Sequence, residues 1–219
     1  MRLLSNYWRK VSDIGLFYSI QTFFWRIVPS WLFDINVWVV TATDHRTFKP
    51  GVTDPGIRWA NERDIGELVI SGIERAALVD GFARGVKYAV CERDAKIICY
   101  AIYETDTHDQ ESWLRFRFGT HDFFGARIWV APEFRGQGIA PQVIRFARAH
   151  FLKTDRRRSL GIINGLNKSS RRACAKTGIA ETGRILYLRL LGITYLHYGR
   201  INRIGFWNAQ HRLEIPFPQ

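Results

Sequence analysis

A glycine-rich segment of this chain, residues 130–140, joins a strand pattern to a helix pattern and constrains the fold more than any other stretch. The residues from Ala126 to Val130 are β-branched and aromatic enough to predict a strand. Apolar residues at helical spacing predict a helix over residues 139–153. Gly136 and Gly138 have no Cβ, so the backbone can turn sharply and a ligand can approach its amides closely. We therefore expect a strand, a tight turn and a helix in direct succession.

The start of this helix has the properties of an anion site. The first N–H groups of a helix have no partner within it and lie at the positive end of its dipole. Phosphate or pyrophosphate is the usual ligand of such a terminus. Pro141 falls in the first turn, where a missing N–H costs little. The glycine spacing fits neither the dinucleotide fingerprint nor the P-loop, so a tight turn without a ligand is an open alternative.

The full string of this segment is more informative than its glycines. Residues 135–140 read Arg-Gly-Gln-Gly-Ile-Ala, and Val130 and Pro132 precede them. This pattern resembles the acyl-CoA-binding segment of the GNAT superfamily of N-acetyltransferases, whose core is Arg/Gln-x-x-Gly-x-Gly/Ala. The resemblance implies that the loop amides hold the pyrophosphate of coenzyme A. It also implies that acetyl-CoA or a longer acyl-CoA is the co-substrate.

A second segment matches the same family at the distance that the family requires. Residues 159–165 predict the next strand. The positions that match the family pattern after it are Asn167, Ser170, Lys176, Gly178 and Ile179. Gly178 just past a helix that ends near Lys176 is also what helix C-capping predicts. The cofactor-binding residues implied by the resemblance are Trp129, Val130, Arg135, Gly136, Gln137, Gly138, Ile139, Ala140, Asn167 and Ser170.

The resemblance implies an α/β (α+β) protein with the GNAT fold, in which helices flank a mixed central sheet. It is specific over about residues 124–180 and plausible from about residue 55 to residue 200. We expect three parts: an aromatic-rich amphipathic segment over residues 1–44, a linker over 45–55, and the acyltransferase domain over 56–219.

Local patterns outside the two matched segments give the remaining elements. The expected elements are strands over 37–42 and 57–60, helices from Glu62 and over 76–82, strands over 87–91, 97–104 and 113–118, and one or two strands over 184–199. Asn61 is expected to cap the first of these helices. Residues 105–112 are polar and acidic and predict a surface loop.

The N-terminal segment differs in composition from the rest of the chain. It holds Trp8, Trp25, Trp31 and Trp38, half of the eight tryptophans. Apolar residues from Leu16 to Val28 recur at i, i+3 and i+4, which predicts an amphipathic helix ended by Pro29.

This stripe is neither a signal peptide nor a spanning helix by its pattern. It has no small-residue cleavage site, and Gln21, Arg26 and Pro29 break the run of roughly 20 apolar residues that spanning needs. Two interpretations stay open. The helix lies in the interface of an anionic membrane, or it packs on its own domain or on a partner in a homodimer. Periodicity does not separate them.

The positive charge of the chain is concentrated in one part of the sequence. The formal net charge is +12. Residues 1–138 hold 17 basic against 17 acidic residues, whereas residues 139–219 hold 15 against three. A positive field attracts polyanions such as a phosphorylated cofactor, an anionic lipid surface or nucleic acid. Nucleic acid is the least favoured of these partners, and a basic face kept for solubility is an open alternative.

Cysteine and histidine usage bears on location and on metals. The chain has three cysteines, Cys91, Cys99 and Cys174. Their odd number and the lack of C-x-x-C spacing argue against a disulfide framework and for a reducing compartment. The six histidines are scattered without an H-x-x-x-H pattern, so we expect no metal site. We expect a cytoplasmic protein, with peripheral attachment to the inner face of the membrane as an open addition.

The resemblance also implies the chemistry. The pantetheine arm would pair with the strand at Trp129 and Val130, and the amide of Val130 would hold the oxyanion at the thioester carbonyl. The acceptor amine must be neutral to attack, so a base or a water chain must take its proton. Many family members place a tyrosine, which protonates the departing thiolate, on the helix that follows the residue matching Asn167. The matching position here is Cys174.

The acid and base are therefore open at this stage. Cys174 reads more simply as a small buried apolar residue, and Tyr195 or Tyr198 is the alternative acid. The candidate bases are Glu104 at a strand end, Asp122 just ahead of the strand over 126–130, and His121. Each of the three also reads as a plain surface charge or turn residue.

The sequence is consistent with three functions. The leading one is an acyl-CoA-dependent N-acyltransferase whose amine acceptor is an amino sugar or an amine-bearing lipid at the membrane surface. Arg127 stands where many relatives carry an acidic residue, which favours an acceptor with negative charge. The second is a soluble acetyltransferase on a small amine or a protein. The third is a non-catalytic module that binds acyl-CoA or nucleic acid.

Overall fold

The computed structural model describes residues 27–29, 32–44 and 54–217. The strands are β1 Phe33–Asp44, β2 Ile57–Trp59, β3 Lys87–Arg93, β4 Lys96–Glu104, β5 Thr107–Glu111, β6 Leu114–Arg117, β7 Asp122–Val130, β8 Arg158–Asn164, β9 Glu181–Leu190, β10 Ile193–Tyr198, β11 Ile201–Phe206 and β12 Leu213–Pro216. The helices are α1 Ile65–Ile70, α2 Arg75–Ala83, α3 Ile139–Lys153 and α4 Lys168–Lys176. Short 3-10 turns cover Glu62–Asp64 and Pro132–Phe134.

Most of the N-terminal prediction lies outside this description. The apolar stripe from Leu16 onward, apart from Ile27 and Val28, falls on residues that the structure does not describe. Within the described ranges, no helix has the length and apolarity that crossing a membrane requires.

The elements around the glycine-rich segment are confirmed. Strand β7 runs into the turn, and α3 begins and ends at the predicted residues 139 and 153. Helix α4 ends at Lys176, and Gly178 follows with φ of +73°. Asn61 caps the 3-10 turn that starts at Glu62, because its side chain accepts a hydrogen bond from the Arg63 N–H at 3.0 Å.

Two local predictions are wrong. Residues 105–112 contain strand β5 rather than a loop. The polar sequence of this segment predicted a loop because strand propensity scales rank polar residues low. Half-buried strands of a small sheet nevertheless tolerate such residues. Asp122 does not precede the strand predicted over 126–130 but is the first residue of that strand, β7, and its side chain is buried rather than on the surface.

The described residues fall into two compact units. The β7 unit consists of residues within Thr43–His108 and Arg117–Gly161, and the β9 unit of residues within Met1–Ala42, Asp109–Phe116 and Ile162–Gln219.

The β7 unit is a mixed sheet with helices on both faces. Its strands follow the order β2-β3-β4-β7 with antiparallel pairing, and the first part of β8 lies parallel to β7. On one face, the buried side of α3 (Ile139, Val143, Ala147 and Phe151) packs on Cys99, Ala101 and Phe123. On the other face, Leu68 of α1 and Leu78 of α2 pack on Tyr88, Val90 and Tyr100. The larger of these side chains, such as Val143 and Phe151 of α3, each contribute roughly 1.5–3 kcal/mol by burial, so α3 is firmly held.

The β9 unit contains antiparallel strands in the order β11-β10-β9-β1. A separate three-stranded sheet has the order β12-β6-β5. Trp113, just before β6, makes an edge contact with Tyr187 of β9 at 5.5 Å between ring centroids. Phe116 of β6 contacts Phe217 in the same way at 5.5 Å. One face of the larger sheet of this unit carries buried side chains, among them Trp38, Tyr187 and Leu196.

Candidate active site

The carboxyl end of β7 presents backbone donors on the edge that faces away from β4. Val130 pairs with Cys99, and the next N–H, that of Ala131, donates to the Ile98 carbonyl at 2.9 Å. Because N–H groups of an antiparallel strand alternate between its two edges, the Val130 N–H points away from β4. The parallel ladder between β7 and β8 runs only from Asp122 to Gly125. The last residues of β7 therefore extend past the end of that ladder.

The turn after β7 is held by its own polar side chains. The Arg135 Nε donates to the Val130 carbonyl at 3.2 Å, and the Gln137 amide donates to the Glu133 carbonyl at 3.3 Å. Gly136 and Gly138 have φ of +80° and +75°. A side chain at either position would be strained by that backbone, although a Cβ there would meet no atom within 4 Å. The open space beside both glycines leaves room for a ligand against the backbone.

The start of α3 fits an anion. Gly138 occupies the N-cap position, and no side chain caps the helix. The first turn contains no acidic residue, so its unsatisfied N–H groups and the helix dipole act without an opposing charge. These groups suit the pyrophosphate of coenzyme A, which is the group that the resemblance implies.

An aromatic and basic surface adjoins Val130 on the α1 and α2 face of the sheet. Trp129 stacks on Tyr100 at 5.4 Å between ring centroids, and the Arg127 guanidinium lies 5.7 Å from the Tyr100 ring centre. Arg127 is exposed, whereas Tyr100 is fully buried. Cys99, opposite Val130, is also buried, and burial raises the pKa of its thiol to about 12. It is therefore not a nucleophile at neutral pH.

Asp122 lies at the opposite end of β7 from Val130. Its two carboxylate oxygens accept hydrogen bonds from Arg158 at 2.7 and 2.8 Å, and one also accepts from the Gly119 N–H at 2.8 Å. The residue is 3% exposed. At roughly 3.3 Å per residue, Asp122 is about 26 Å along the strand from Val130.

Glu104 also lies far from Val130. It is opposite Phe124, whereas Cys99 is opposite Val130, and five residues of strand correspond to about 17 Å. Its carboxylate is 2.6 Å from the His108 Nδ1, and the two side chains are only 13% and 16% exposed. Glu104 lines a pocket of about 230 Å³ together with Arg84 and Thr107.

His121, the third candidate base, is exposed and lies beside Asp155 at 3.2 Å. The structure therefore places none of the three candidate bases of the β7 unit beside Val130, at the carboxyl end of β7.

The remaining predicted site residues belong to the β9 unit. The Asn167 side chain accepts from the Ser170 N–H at 3.0 Å and so caps α4. Cys174 lies within α4 and is half-buried. The Tyr195 hydroxyl donates to the Asn202 side chain at 3.0 Å, and burial raises the pKa of Tyr198.

Sequence reasoning missed one cluster of titratable side chains in the β9 unit. The Tyr187 hydroxyl donates to Asp34 at 2.5 Å. Glu111 is half-buried nearby, and its pKa is raised to about 7 by burial and by the charge of Asp34, with Arg189 opposing the shift. No local pattern marks these residues, because they meet only through strand pairing and the packing of β5. Such a shift is typical of functional sites but also occurs in structural clusters.

Metal ligation has no candidate in this part of the molecule: across the residues described, no three His, Cys, Asp or Glu side chains are grouped so that they could hold a metal ion.

Comparisons with known proteins identify the family and the fold. The family model described as acetyltransferase (GNAT) family matches residues 59–179. No curated protein sequence matches the chain.

Three solved structures share the fold. A putative GNAT acetyltransferase from Novosphingobium aromaticivorans has 18% identity and a TM-score of 0.52, over 76% of this chain and 66% of that one. A GNAT acetyltransferase from Colwellia psychrerythraea has 18% identity and a TM-score of 0.52, over 72% and 57%. A GCN5-related N-acetyltransferase from Sphaerobacter thermophilus has 11% identity and a TM-score of 0.52, over 79% and 55%. This chain thus matches between 55% and 66% of their lengths, and at these identities the likeness shows the fold alone.

Proposed function

Because this chain belongs to the acetyltransferase (GNAT) family, we propose that it transfers an acyl group, acetyl first of all, from acyl-CoA to an amine. The observation that supports this most directly is the end of β7. An N–H group directed away from β4 is followed, after the 3-10 turn Pro132–Phe134, by two glycines with positive φ and by a helix start without acidic residues. This arrangement offers one donor for a carbonyl oxygen and several for a pyrophosphate.

The loop residues bind the co-substrate in this proposal. The backbone N–H groups of the segment Arg135–Ala140 hold the pyrophosphate, and the edge of β7 at Trp129 and Val130 pairs with the pantetheine arm. Bound acyl-CoA supplies an activated thioester. Asn167 and Ser170, at the start of α4, are assigned to the cofactor by the family pattern.

Val130 provides the electrostatic part of catalysis. Its N–H donates to the thioester oxygen, where negative charge grows as the amine attacks. Removal of one such donor in other enzymes costs about 10²–10³ in rate. A backbone donor on a paired strand needs no reorganisation during the reaction, because β4 already fixes its direction.

The proton of the amine leaves through water rather than through a carboxylate of the β7 unit. The coenzyme A thiolate, which departs as the C–S bond breaks and the amide C–N bond forms, takes its proton from water in turn. Both oxygens of Asp122 are already bonded to Arg158, and Glu104 lies about 17 Å from Val130 along the strand. The Tyr195 hydroxyl is engaged by Asn202, so we assign it no acid role. Without a dedicated base, the rate depends on the fraction of the amine that is neutral. It therefore rises with pH up to the pKa of the amine.

The acceptor in this proposal is an amine with a neighbouring negative group, such as an amino sugar or the head group of an amine-bearing lipid. The exposed Arg127 guanidinium, two strand positions from Trp129 on the same face, supports this class because a cation there attracts an anionic acceptor. The surplus of positive charge in residues 139–219 acts in the same direction.

The co-substrate is tested by calorimetric titration with coenzyme A, acetyl-CoA and a long-chain acyl-CoA. We expect Gly138→Glu to weaken acetyl-CoA binding at least about 100-fold, because it places a carboxylate at the anion site. The matched control is Gly85→Glu, since Gly85 is exposed and has a similar φ of +77°. Equal binding by wild type and Gly138→Glu, or no binding of any of the three, would refute the proposal. Much tighter long-chain binding would identify a lipid-modifying enzyme.

The acceptor class is tested by paired amines with and without an adjacent phosphate or carboxylate. Arg127→Gln should raise KM for the anionic amine about tenfold and leave the neutral amine unchanged. Equal effects on both would show that Arg127 does not recognise the acceptor.

A further inference from the structure

The outermost strand of the β9 unit, β11, has one free edge. It pairs with β10 on one side and has no neighbour on the other side among the described residues. Such an edge is a row of backbone donors and acceptors that a further strand can bind, and proteins usually protect it with proline, lysine or a bulge. The sequence of β11, Ile-Asn-Arg-Ile-Gly-Phe, has no proline or lysine, and its pairing with β10 continues without a bulge. This edge is therefore open to another strand.

The turn before β11 shows which of its backbone groups lie on the free edge. The two-residue loop 199–200 joins β10 to β11, and its first residue is a glycine with φ of +53°. In a hairpin with this loop length, the flanking residues Tyr198 and Ile201 form a hydrogen-bonded pair. Hydrogen-bonded pairs alternate along an antiparallel ladder, so every second residue of β11 faces away from β10. The residues whose N–H and C=O groups point outward are Asn202, Ile204 and Phe206.

These outward groups are nearly unused within the described part of the chain. The one hydrogen bond that a described residue makes to them runs from the Arg203 guanidinium to the Asn202 carbonyl, at 3.1 Å. The side chains beside them are exposed as well. Ile204 and Phe206 are 72% and 70% exposed, the highest fractions among the large apolar residues described in the β9 unit. An apolar strand edge of this kind is a surface that another chain covers.

Two copies of β11 are complementary to each other when they pair antiparallel about a twofold axis at Ile204. Residues directly opposite one another then share a face of the sheet. Ile204 lies opposite Ile204 of the second copy, and Asn202 lies opposite Phe206, so all three outward residues form hydrogen-bonded pairs. Arg203 lies opposite Gly205, which has no side chain. This register therefore uses every outward backbone group and opposes no two charges within the strand.

Other registers of the same pairing are less favourable. A shift by one residue would oppose outward groups to groups already bonded to β10. A shift by two residues in one direction would place Arg203 opposite Arg203 of the second copy, and like charges directly opposite are destabilising. A shift by two in the other direction would leave Asn202 outside the ladder and lose one of the three pairs. The register with Ile204 on the axis is therefore favoured.

We propose that two copies of this chain associate through β11, so that the sheets of their β9 units form one continuous antiparallel sheet. The contact is isologous and closes as a dimer, because both copies use the same strand. An edge of six residues lies at the small end of interface sizes, since standard interfaces bury roughly 800 Å² per partner. We therefore expect a Kd of about 10 µM. The proposal is independent of acyl transfer.

The first test is sedimentation velocity of the full chain, from about 1 µM to about 200 µM, a range that brackets the expected Kd. Ile204→Lys and Ile204→Glu should each raise the Kd for dimerisation at least about tenfold, because each places like charges opposite one another across the axis. An equimolar mixture of the two variants should restore the dimer, since opposite charges then face each other. Recovery in the mixture depends on position 204 lying opposite itself.

The matched control for these variants is Ile70→Lys. Ile70 is 79% exposed but lies on α1 in the β7 unit, so the Kd for dimerisation should not change. Circular dichroism at the assay temperature verifies that all variants are folded. A wild type that stays monomeric over the whole range would overturn the proposal and leave the edge to a strand of another protein. An unchanged Kd in both Ile204 variants would overturn it as well.

The second test checks the register by disulfide formation in a Cys174→Ser background, in which the remaining thiols of Cys91 and Cys99 are buried. Ile204→Cys should oxidise to a covalent dimer, because the Cα atoms of a hydrogen-bonded pair lie about 5.5 Å apart, within disulfide range. Phe206→Cys should not, because the two copies of that position are four residues out of register, or at least about 13 Å apart. Equal cross-linking of the two variants, or none in either, would contradict the proposed pairing.

Discussion

The two ends of β7 differ in how their polar groups are satisfied. At the amino end, the buried Asp122 carboxylate accepts bonds from Arg158 and from the Gly119 N–H. At the carboxyl end, the Val130 N–H points away from β4, and the turn that follows leaves open space beside Gly136 and Gly138. The first end is closed by internal partners, and the second presents donors to a ligand.

This difference shows how to separate a structural charge from a functional group on one strand. A carboxylate whose oxygens are all bonded to its own fold has little capacity left for a substrate proton. Backbone donors without internal partners cost free energy unless a ligand or water satisfies them. We therefore assign Asp122 to stability and Val130 to catalysis, and the following predictions test that division.

The largest expected effect is on stability. Asp122→Ala should lower the free energy of unfolding by about 3 kcal/mol, because it leaves Arg158 without its partner. This is the low end of the range for buried pairs, since the Arg158 side chain is 29% exposed and can still reach water. Acetyl-CoA affinity should not change. Urea unfolding and calorimetric titration of the same preparation measure both quantities.

The matched control for this prediction is Asp109→Ala. Asp109 also binds arginines, Arg115 and Arg212, but its side chain is 40% exposed. Water screens such pairs, so the loss should stay near or below about 1 kcal/mol. A stable Asp122→Ala variant with reduced turnover at saturating acyl-CoA would invert the assignment and make Asp122 a candidate base.

A smaller, pH-dependent effect is expected at Glu111, a half-buried carboxylate whose pKa is raised. Burial and the charge of Asp34 raise the pKa of Glu111 from 4.5 to about 7, and Arg189 opposes this. A raised carboxylate pKa means that the folded protein binds more protons than the unfolded chain between these values, so stability falls as pH rises through this window. This shift corresponds to about 3 kcal/mol by linkage. Because Glu111 is only half-buried, screening by solvent reduces the expected gain from Glu111→Gln to about 2 kcal/mol at pH 8, with almost nothing at pH 4.

Glu181→Gln provides a control of opposite sign. The hydrogen bonds of Arg171 lower the pKa of Glu181, so its contribution to stability is present above pH 4.5 and is lost as pH falls. Unfolding curves at pH 4, 6 and 8 distinguish the two variants. If Glu111→Gln instead leaves stability flat across pH and removes activity, Glu111 has a catalytic rather than a structural role.

Much of the fold around the glycine-rich segment was predictable from sequence because its signals are local. Glycine at positive φ, a capping asparagine and a helical apolar stripe each act within a few residues, and they fixed the bounds of α3 and the cap at Asn61. The strand β5 was not predictable, since its polar residues are stabilised by pairing with β6 rather than by their own propensity.

The candidate base residues show why a site is harder to predict than a fold. Sequence order places Glu104 and Asp122 close to the glycine-rich segment, but only the strand register shows which end of β7 each one lies at or beside. Glu111 was missed for the same reason, because its pKa depends on Asp34, which is far away in sequence. Local chemistry predicts loops and caps, whereas contacts across strands need the structure.

The smallest expected effect is at Glu104. It tests the comparison most sharply because Glu104 is an acidic residue near the amino end of β7, where the Asp122 carboxylate already has its hydrogen-bond partners. If the distance of about 17 Å from Val130 excludes proton transfer, Glu104→Gln should change kcat/KM by less than about twofold, or about 0.4 kcal/mol. The pH profile should keep its shape. His108→Gln is the matched control, because it removes the same contact at 2.6 Å from the other side. A loss of about 100-fold or more in Glu104→Gln alone, with a missing acidic limb in the pH profile, would show that the acceptor reaches this end of β7. The division between a closed structural end and an open catalytic end would then be wrong.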